Sequence, residues 1–246
     1  MPKRFSFILL FLYLLPIGLL GVLSVSKTEV YPSLLPELHL SAWRLTSNGI
    51  ASAIGLSVLI GALVSVLGTV VGFVASYAMA GSRYRQYLLW ISLIPFATAP
   101  VILALELKYF IVRIGLSADV GGVILSQSLV AIPYASVLFS LFWDRERMDY
   151  EQVGRTLGAR SVQVMWRIHI PAARGMIRLI ALQLFLFSWF EYGLTQMIGT
   201  GKVVTLPIAV YRFAQEVQIP AAAAACLTLM LPPMWFLIFT KKIRLR

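Results

Sequence analysis

The chain has 246 residues, of which 59% are hydrophobic and only 13% charged, and its mean hydropathy is +0.85. An ordinary soluble domain is roughly half apolar and about a quarter charged, so this composition has too little charge to cover a water-exposed surface and excludes a soluble enzyme, a nucleic-acid-binding domain or a disordered chain. The net charge is +11, which its distribution along the chain explains better than a nucleic-acid partner does. One cysteine, Cys226, rules out an internal disulfide or a thiolate cluster, and two histidines, His39 and His169, suggest no metal site.

A membrane-crossing helix needs about 20 apolar residues. Six runs qualify, and the chain reads as an all-α membrane protein with a single domain over residues 1–246. The first, 5–25, follows Lys3 and Arg4 but lacks a small-x-small cleavage site, so it is expected to stay as a helix. The second, 50–80, is uncharged and long enough to tilt or project. It carries Gly61, Ser65, Gly68, Gly72 and Ser76 on approximately one face, a pattern that lets helices approach closely inside the subunit or across a dimer. The third run is 87–105, and Glu106 follows it. The fourth, 120–143, holds Pro133 and the polar Ser126, Gln127 and Ser128. The fifth, 179–198, is interrupted by Glu191, and the sixth, 219–240, contains Pro220, Pro232 and Pro233. The runs are too long and continuous for barrel strands.

Six spans put both termini on one side. With that side in the cytoplasm, 15 of the 21 Lys and Arg residues are cytoplasmic, seven of them in the 144–178 loop. This is the asymmetry of the positive-inside rule. Within that loop, Asp149 and Gln152 read as a helix start with a capping-box partner, and Gly158 as the left-handed residue that ends the helix about two turns later. Ser161 can cap a second short helix, and Pro171 is expected to stop it before the fifth span. Two short Arg-rich helices at an angle, facing the cytoplasm, read as either a docking element or a solvated amphipathic loop.

These residues resemble the "EAA" loop of binding-protein-dependent ABC importer permeases, whose pattern is Glu-Ala-Ala, three residues, Gly, nine residues, Ile, one residue, Leu-Pro. Gly158, Ile168 and Pro171 fall in register, and Arg155-Thr-Leu-Gly-Ala159-Arg160 is similar to many members. Gln152 stands at the Glu position with Glu151 before it, Val153-Gly154 replaces Ala-Ala, and Ile170 replaces Leu. The resemblance implies a type I importer transmembrane domain of the MetI-like kind: six transmembrane helices whose cytoplasmic coupling helix, here within 149–171, inserts into a separate ATPase. It implies as partners a pair of ATP-binding subunits carrying ATP and Mg, a second permease (a related chain or an identical copy), a periplasmic or lipoprotein substrate-binding protein and the bilayer of a bacterial inner membrane. It implies no catalytic residue, metal or cofactor on this chain, and no nucleic acid.

The residues agree. No GxxxxGK[ST] phosphate loop occurs, and Gly199-Thr-Gly-Lys202 lacks its spacing. A stand-alone secondary transporter or channel would show internal repeats and several intramembrane ionisable groups, and an intramembrane enzyme a clustered catalytic set. Neither pattern is apparent. Glu191, Gln127 and Ser128 are the candidates for the translocation pathway, because a carboxylate within a span must face protein or water; Glu191 could equally be hydrogen-bonded to its neighbours near the outer interface. His169 reads as structural. Phe187-Ser-Trp-Phe-Glu191, Gly199 and Thr205-Leu-Pro207 resemble the polyamine, thiamine, phosphonate and iron branch of the superfamily. Glu191 would suit a cation such as a polyamine or thiamine, with ferric iron, phosphonate and oxyanions still open.

Overall fold

The computed structural model describes residues 3–26, 43, 47–98, 100–143, 153, 154, 156 and 158–243. Regular structure among them is helical: α1 (Lys3–Ser24), α2 (Ser47–Ala80), α3 (Arg85–Ala97), α4 (Pro100–Arg113), α5 (Val120–Ser140), α6 (Ser161–Val164), a π-helical turn (Met165–His169), α7 (Ile170–Phe190), α8 (Gly193–Gly199), α9 (Leu206–Gln215) and α10 (Ile219–Ile243). Four helical stretches among the described residues are long and apolar enough to cross a membrane: Gly49–Ala80, Val120–Ser140, Ser161–Phe190 and Ile219–Phe236.

The third apolar run is not one straight helix. The segments Arg85–Ala97 and Ile102–Arg113 meet at 99° and would count as a fifth, broken span. Thr98 leaves the helix with an extended backbone (ψ 137°), and Pro100 opens α4. Proline is harmless at a first helical position, where its missing N–H has no partner to lose.

Packing divides the chain into two compact units, Met1–Val58 with Val204–Arg246, and Leu59–Val203. In the first, α10 packs against α1 and α9. The start of α9 is held to the first turns of α2 by a hydrogen bond from the Leu206 N–H to Ser57 Oγ (2.8 Å).

The second unit is organised around the small-residue face of α2. A Cβ on Gly61 would lie 3.0 Å from the Phe185 ring, one on Gly68 2.7 Å from Leu184 Cδ1, and one on Gly72 2.5 Å from Ala135 Cβ. Ser65 Oγ donates to the Ala181 carbonyl (2.5 Å). The stripe therefore packs α2 against α5 and α7 of its own chain. The other face of α2 exposes Leu59, Leu63, Val66, Leu67, Val70 and Val74. A ridge this apolar suits lipid or a partner helix rather than water.

Candidate functional site

The loop ahead of α7 retains the turn its glycine demands. Gly154 is helical and buried, with room for a Cβ only 3.1 Å from Val164 Cγ2. Val153 is exposed, and its carbonyl accepts from Thr156 Oγ1 (2.8 Å). Gly158 has φ +84°, and the Ala159 N–H reaches back to the Gly154 carbonyl (3.0 Å). That bond is the long closure of a Schellman turn, so Gly158 ends the helix in the left-handed conformation. Asp149, Glu151, Gln152 and Arg155 lie outside the described residues.

Two expectations for the rest of the loop are corrected. Ser161 does not cap a helix: it is the first residue inside α6, and the preceding Arg160 N–H donates to Gln163 Oε1 (2.9 Å). Pro171 does not stop the helix either, because helical structure runs unbroken from Ser161 to Phe190. The reason is the π-turn. The Ile170 N–H donates to the Met165 carbonyl, five residues back rather than four. The widened turn makes room for the Pro171 ring, which in a regular helix meets the carbonyl four residues earlier. The second short helix is thus the base of a 30-residue rod, about 45 Å long.

The rod is fastened to α5 near both ends. At the π-turn, His169 is buried and its ring lies 5.0 Å from the Trp143 ring, edge to face, and 5.9 Å from Tyr77. Trp143 in turn contacts Phe73 (5.4 Å), Tyr77 (5.2 Å) and Phe142 (5.0 Å). Its indole N–H donates to Ser76 Oγ (2.9 Å), and that hydroxyl donates to the Phe73 carbonyl (2.7 Å). Arg85 Nη2 donates to the Ser140 carbonyl (3.0 Å) and so closes the C-terminal end of α5. This aromatic box joins the base of the rod to the ends of α2 and α5.

At the other end the fastening is polar. The fifth apolar run is not one helix: α7 ends at Phe190, Glu191 is extended (ψ 122°), and α8 starts at Gly193. Glu191 folds back over the start of α8. Oε1 accepts from the Leu194 N–H (2.6 Å), and Oε2 accepts from the Thr195 N–H (2.9 Å) and hydroxyl (2.7 Å). A carboxylate in apolar surroundings needs donors, and the first turn of a new helix offers free N–H groups. Gln127, fully buried in α5, completes the knot. Its Nε2 donates to Thr195 Oγ1 (2.9 Å) and faces Glu191 Oε2 at 3.3 Å, while its Oε1 accepts from Ser188 Oγ (2.5 Å). Of the three pathway candidates, Glu191 and Gln127 therefore meet each other. Ser128 is buried one position on, its hydroxyl without a hydrogen-bond partner among the described residues.

Sequence reasoning missed Thr195 and Trp143, and it read Ser76 only as part of a packing face and Ser188 only as part of the stretch before Glu191. One signal was readable: Ser188, Glu191 and Thr195 recur at intervals of three and four, which place polar groups on one side of a helix. The Trp143–Ser76 pair left no such trace, because the two lie far apart in sequence.

Residues 68–240 match the family described as the binding-protein-dependent transport system inner membrane component. The chain is 30% identical over 201 residues to the molybdenum transport system permease protein ModB of Mycobacterium bovis, covering 74% of this chain and 75% of that one. It is 25% identical over 254 residues to the sulfate transport system permease protein CysW of a Synechocystis species (94% and 90% covered). Its structure is similar to a crystal structure of a bacterial ABC transporter involved in the import of the acidic polysaccharide alginate, with a TM-score of 0.72, 18% identity, and 98% and 94% of the two chains covered.

Proposed function

The chain belongs to the family of binding-protein-dependent transport system inner membrane components, and from that premise we propose how it works, what it carries and how it is assembled. It is the membrane-spanning permease subunit of an ABC importer. It is not itself the enzyme: ATP is hydrolysed on a separate subunit. Its partners are an ATPase, a substrate-binding protein and the membrane.

The finer reading is ours. Residues 1–246 act as one permease domain with six crossings and both termini in the cytoplasm, which the concentration of Arg in the 144–178 loop supports. The family match supports one domain, because it runs across the boundary between the two compact units. Two ATPase subunits, binding ATP and Mg, pair with two permeases. The stretch from Glu151 to Pro171 docks on one ATPase. The observation that carries this reading is the glycine-closed turn at Gly154–Gly158, set on the same chain segment as a rod that continues into the membrane helices. Such continuity lets one equilibrium be biased from both ends.

We take the substrate to be a small oxyanion of the molybdate or sulfate kind. Two observations favour it. Glu191, which as an open carboxylate would suit a cation, has its oxygens occupied by donors of its own chain. The relatives named above include molybdenum and sulfate permeases.

The test starts with gentle extraction of the tagged chain from its native membrane and mass spectrometry of what comes with it. An ATPase with a phosphate loop, with or without a second permease, is expected; recovery of the chain alone in detergents that preserve known assemblies would overturn the reading. The purified complex in proteoliposomes should then take up molybdate or sulfate when supplied with its binding protein. Uptake of spermidine but of neither anion would overturn the substrate assignment. Gly158→Asp should uncouple hydrolysis from uptake or block assembly, because φ +84° strains any side chain there.

A further inference from the structure

We propose that the base of α7 binds an acidic phospholipid: Arg174 and Arg178 hold the phosphate of its headgroup, and its acyl chains lie against Leu179. The proposal rests on the reading of the chain as a permease whose 144–178 loop faces the cytoplasm, which makes the lipid one of the inner leaflet.

The first observation is a length. The part of α7 beyond Arg178, residues 179–190, carries no charge and is about 18 Å long. The hydrocarbon core of a bilayer is about 30 Å thick, and an untilted helix needs about 20 residues to cross it. Counted back from Phe190, that length takes in both Arg178 and Arg174. Two guanidinium groups therefore stand where the core meets the headgroups. A charge at that depth must reach out to the interface and meet an opposite one.

The second observation is a direction. Arg178 Nε donates to the Arg174 carbonyl (3.2 Å), so the Arg178 side chain runs back one turn towards the loop. Its guanidinium is brought down beside Arg174, which is how a long cation escapes hydrocarbon. Neither arginine is paired with an acidic side chain among the described residues. The terminal nitrogens of Arg178 are left to an acceptor from outside the chain.

The third observation is space. Residues 171, 174, 175 and 178 share one side of the helix, and all four are exposed. A Cβ on Gly175 would meet nothing within 4 Å, so the glycine leaves an open notch between the two arginines. Leu179, the next residue, is 55% exposed and gives an acyl chain an apolar surface. A guanidinium is a planar fork that takes two phosphate oxygens at once. Two forks around one notch suit a headgroup with net negative charge; a zwitterionic one brings a cation of its own to the same place.

The test uses the complete complex, with its ATPase, in phosphatidylcholine vesicles. Gln183, exposed about one turn beyond Leu179, is replaced by Cys in a Cys226→Ser background, which leaves one thiol to carry a fluorophore. The probe is phosphatidylglycerol with a nitroxide on one acyl chain, at a few mole per cent, compared with phosphatidylcholine labelled in the same way. The phosphatidylglycerol should quench the fluorophore more strongly. Arg174→Gln with Arg178→Gln should lower that preference by about fivefold for each arginine, and Arg83→Gln, which removes an exposed cation elsewhere, should leave it. Equal quenching by the two lipids, or a preference that survives the loss of both arginines, would overturn the proposal. A preference abolished by inorganic phosphate at matched ionic strength would assign the notch to a free anion and also overturn it. In phosphatidylcholine alone, the double variant should keep its ATPase as the parent does; loss of the ATPase at an unchanged unfolding midpoint would give this face to the ATPase instead. Where the glutamine pair does not assemble, Gly175→Leu decides: it fills the notch and keeps both charges, and an undiminished preference would overturn the site. Wild-type material that never associates with an ATPase is a different result, which counts against the function and leaves the lipid preference standing.

Discussion

The ends of the Ser161–Phe190 rod are secured by two kinds of chemistry. Near its start, Phe73, Tyr77, Phe142, Trp143 and His169 pack ring against ring. At its end, Gln127, Ser188, Glu191 and Thr195 exchange hydrogen bonds with fixed donors and acceptors. The ring contacts described at the first end gain from area, and the hydrogen bonds described at the second gain from direction.

The knot gives the largest expected effect. Glu191→Ala leaves the Leu194 and Thr195 N–H groups and the Gln127 amide short of an acceptor, a loss on the order of 3 kcal/mol. It should appear as a clear fall in the unfolding midpoint of the detergent-solubilised protein. A midpoint equal to wild type would show that water replaces the carboxylate, and that the two ends differ less than their geometry implies.

Next comes the seam between the fastenings. Gly72→Ala puts a methyl 2.5 Å from Ala135 Cβ and 3.2 Å from the Ser136 nitrogen, an overpacking that costs about 2 kcal/mol. Gly55→Ala, in the same helix with nothing within 4 Å, is the control and should leave the midpoint unchanged or raise it. Equal effects at the two glycines would remove the argument that the stripe packs within the subunit.

A smaller loss is expected at Gly158. Alanine there adopts φ +84° at a cost of about 1 kcal/mol, and Gly158→Asn, better suited to left-handed backbone, should cost less. Proteolytic nicking of the loop would follow that order. The smallest effect belongs to Trp143→Phe, which removes one hydrogen bond to Ser76 and should cost roughly 1 kcal/mol or less in stability. A loss as large as that of Glu191→Ala would mean that the aromatic end is held as firmly as the polar one.

Much of this was legible along the chain. Gly158 announces a left-handed helix end because few other residues accept that backbone, and the structure has it there. The small residues of α2 announce a close contact, although only the structure says that the partners are Ala135, Leu184 and Phe185. Glu191 stands out as a charge in an apolar run. Its effect was hidden, because a carboxylate that breaks a helix to reach new N–H donors and one that faces a pathway look identical in one dimension. The bend near Pro100 and the π-turn before Pro171 were hidden for a related reason. Proline marks where a regular ladder fails without saying whether the chain turns, stops or widens by one residue.

The widened turn changes what the spacing between Gly158 and Pro171 means. It works as a ruler as well as a signature. One residue added or removed within it leaves every motif side chain present, yet rotates whatever precedes it by about 100° around the rod and shifts it by about 1.5 Å. Such a chain would retain its full chemical vocabulary and present it to the wrong side.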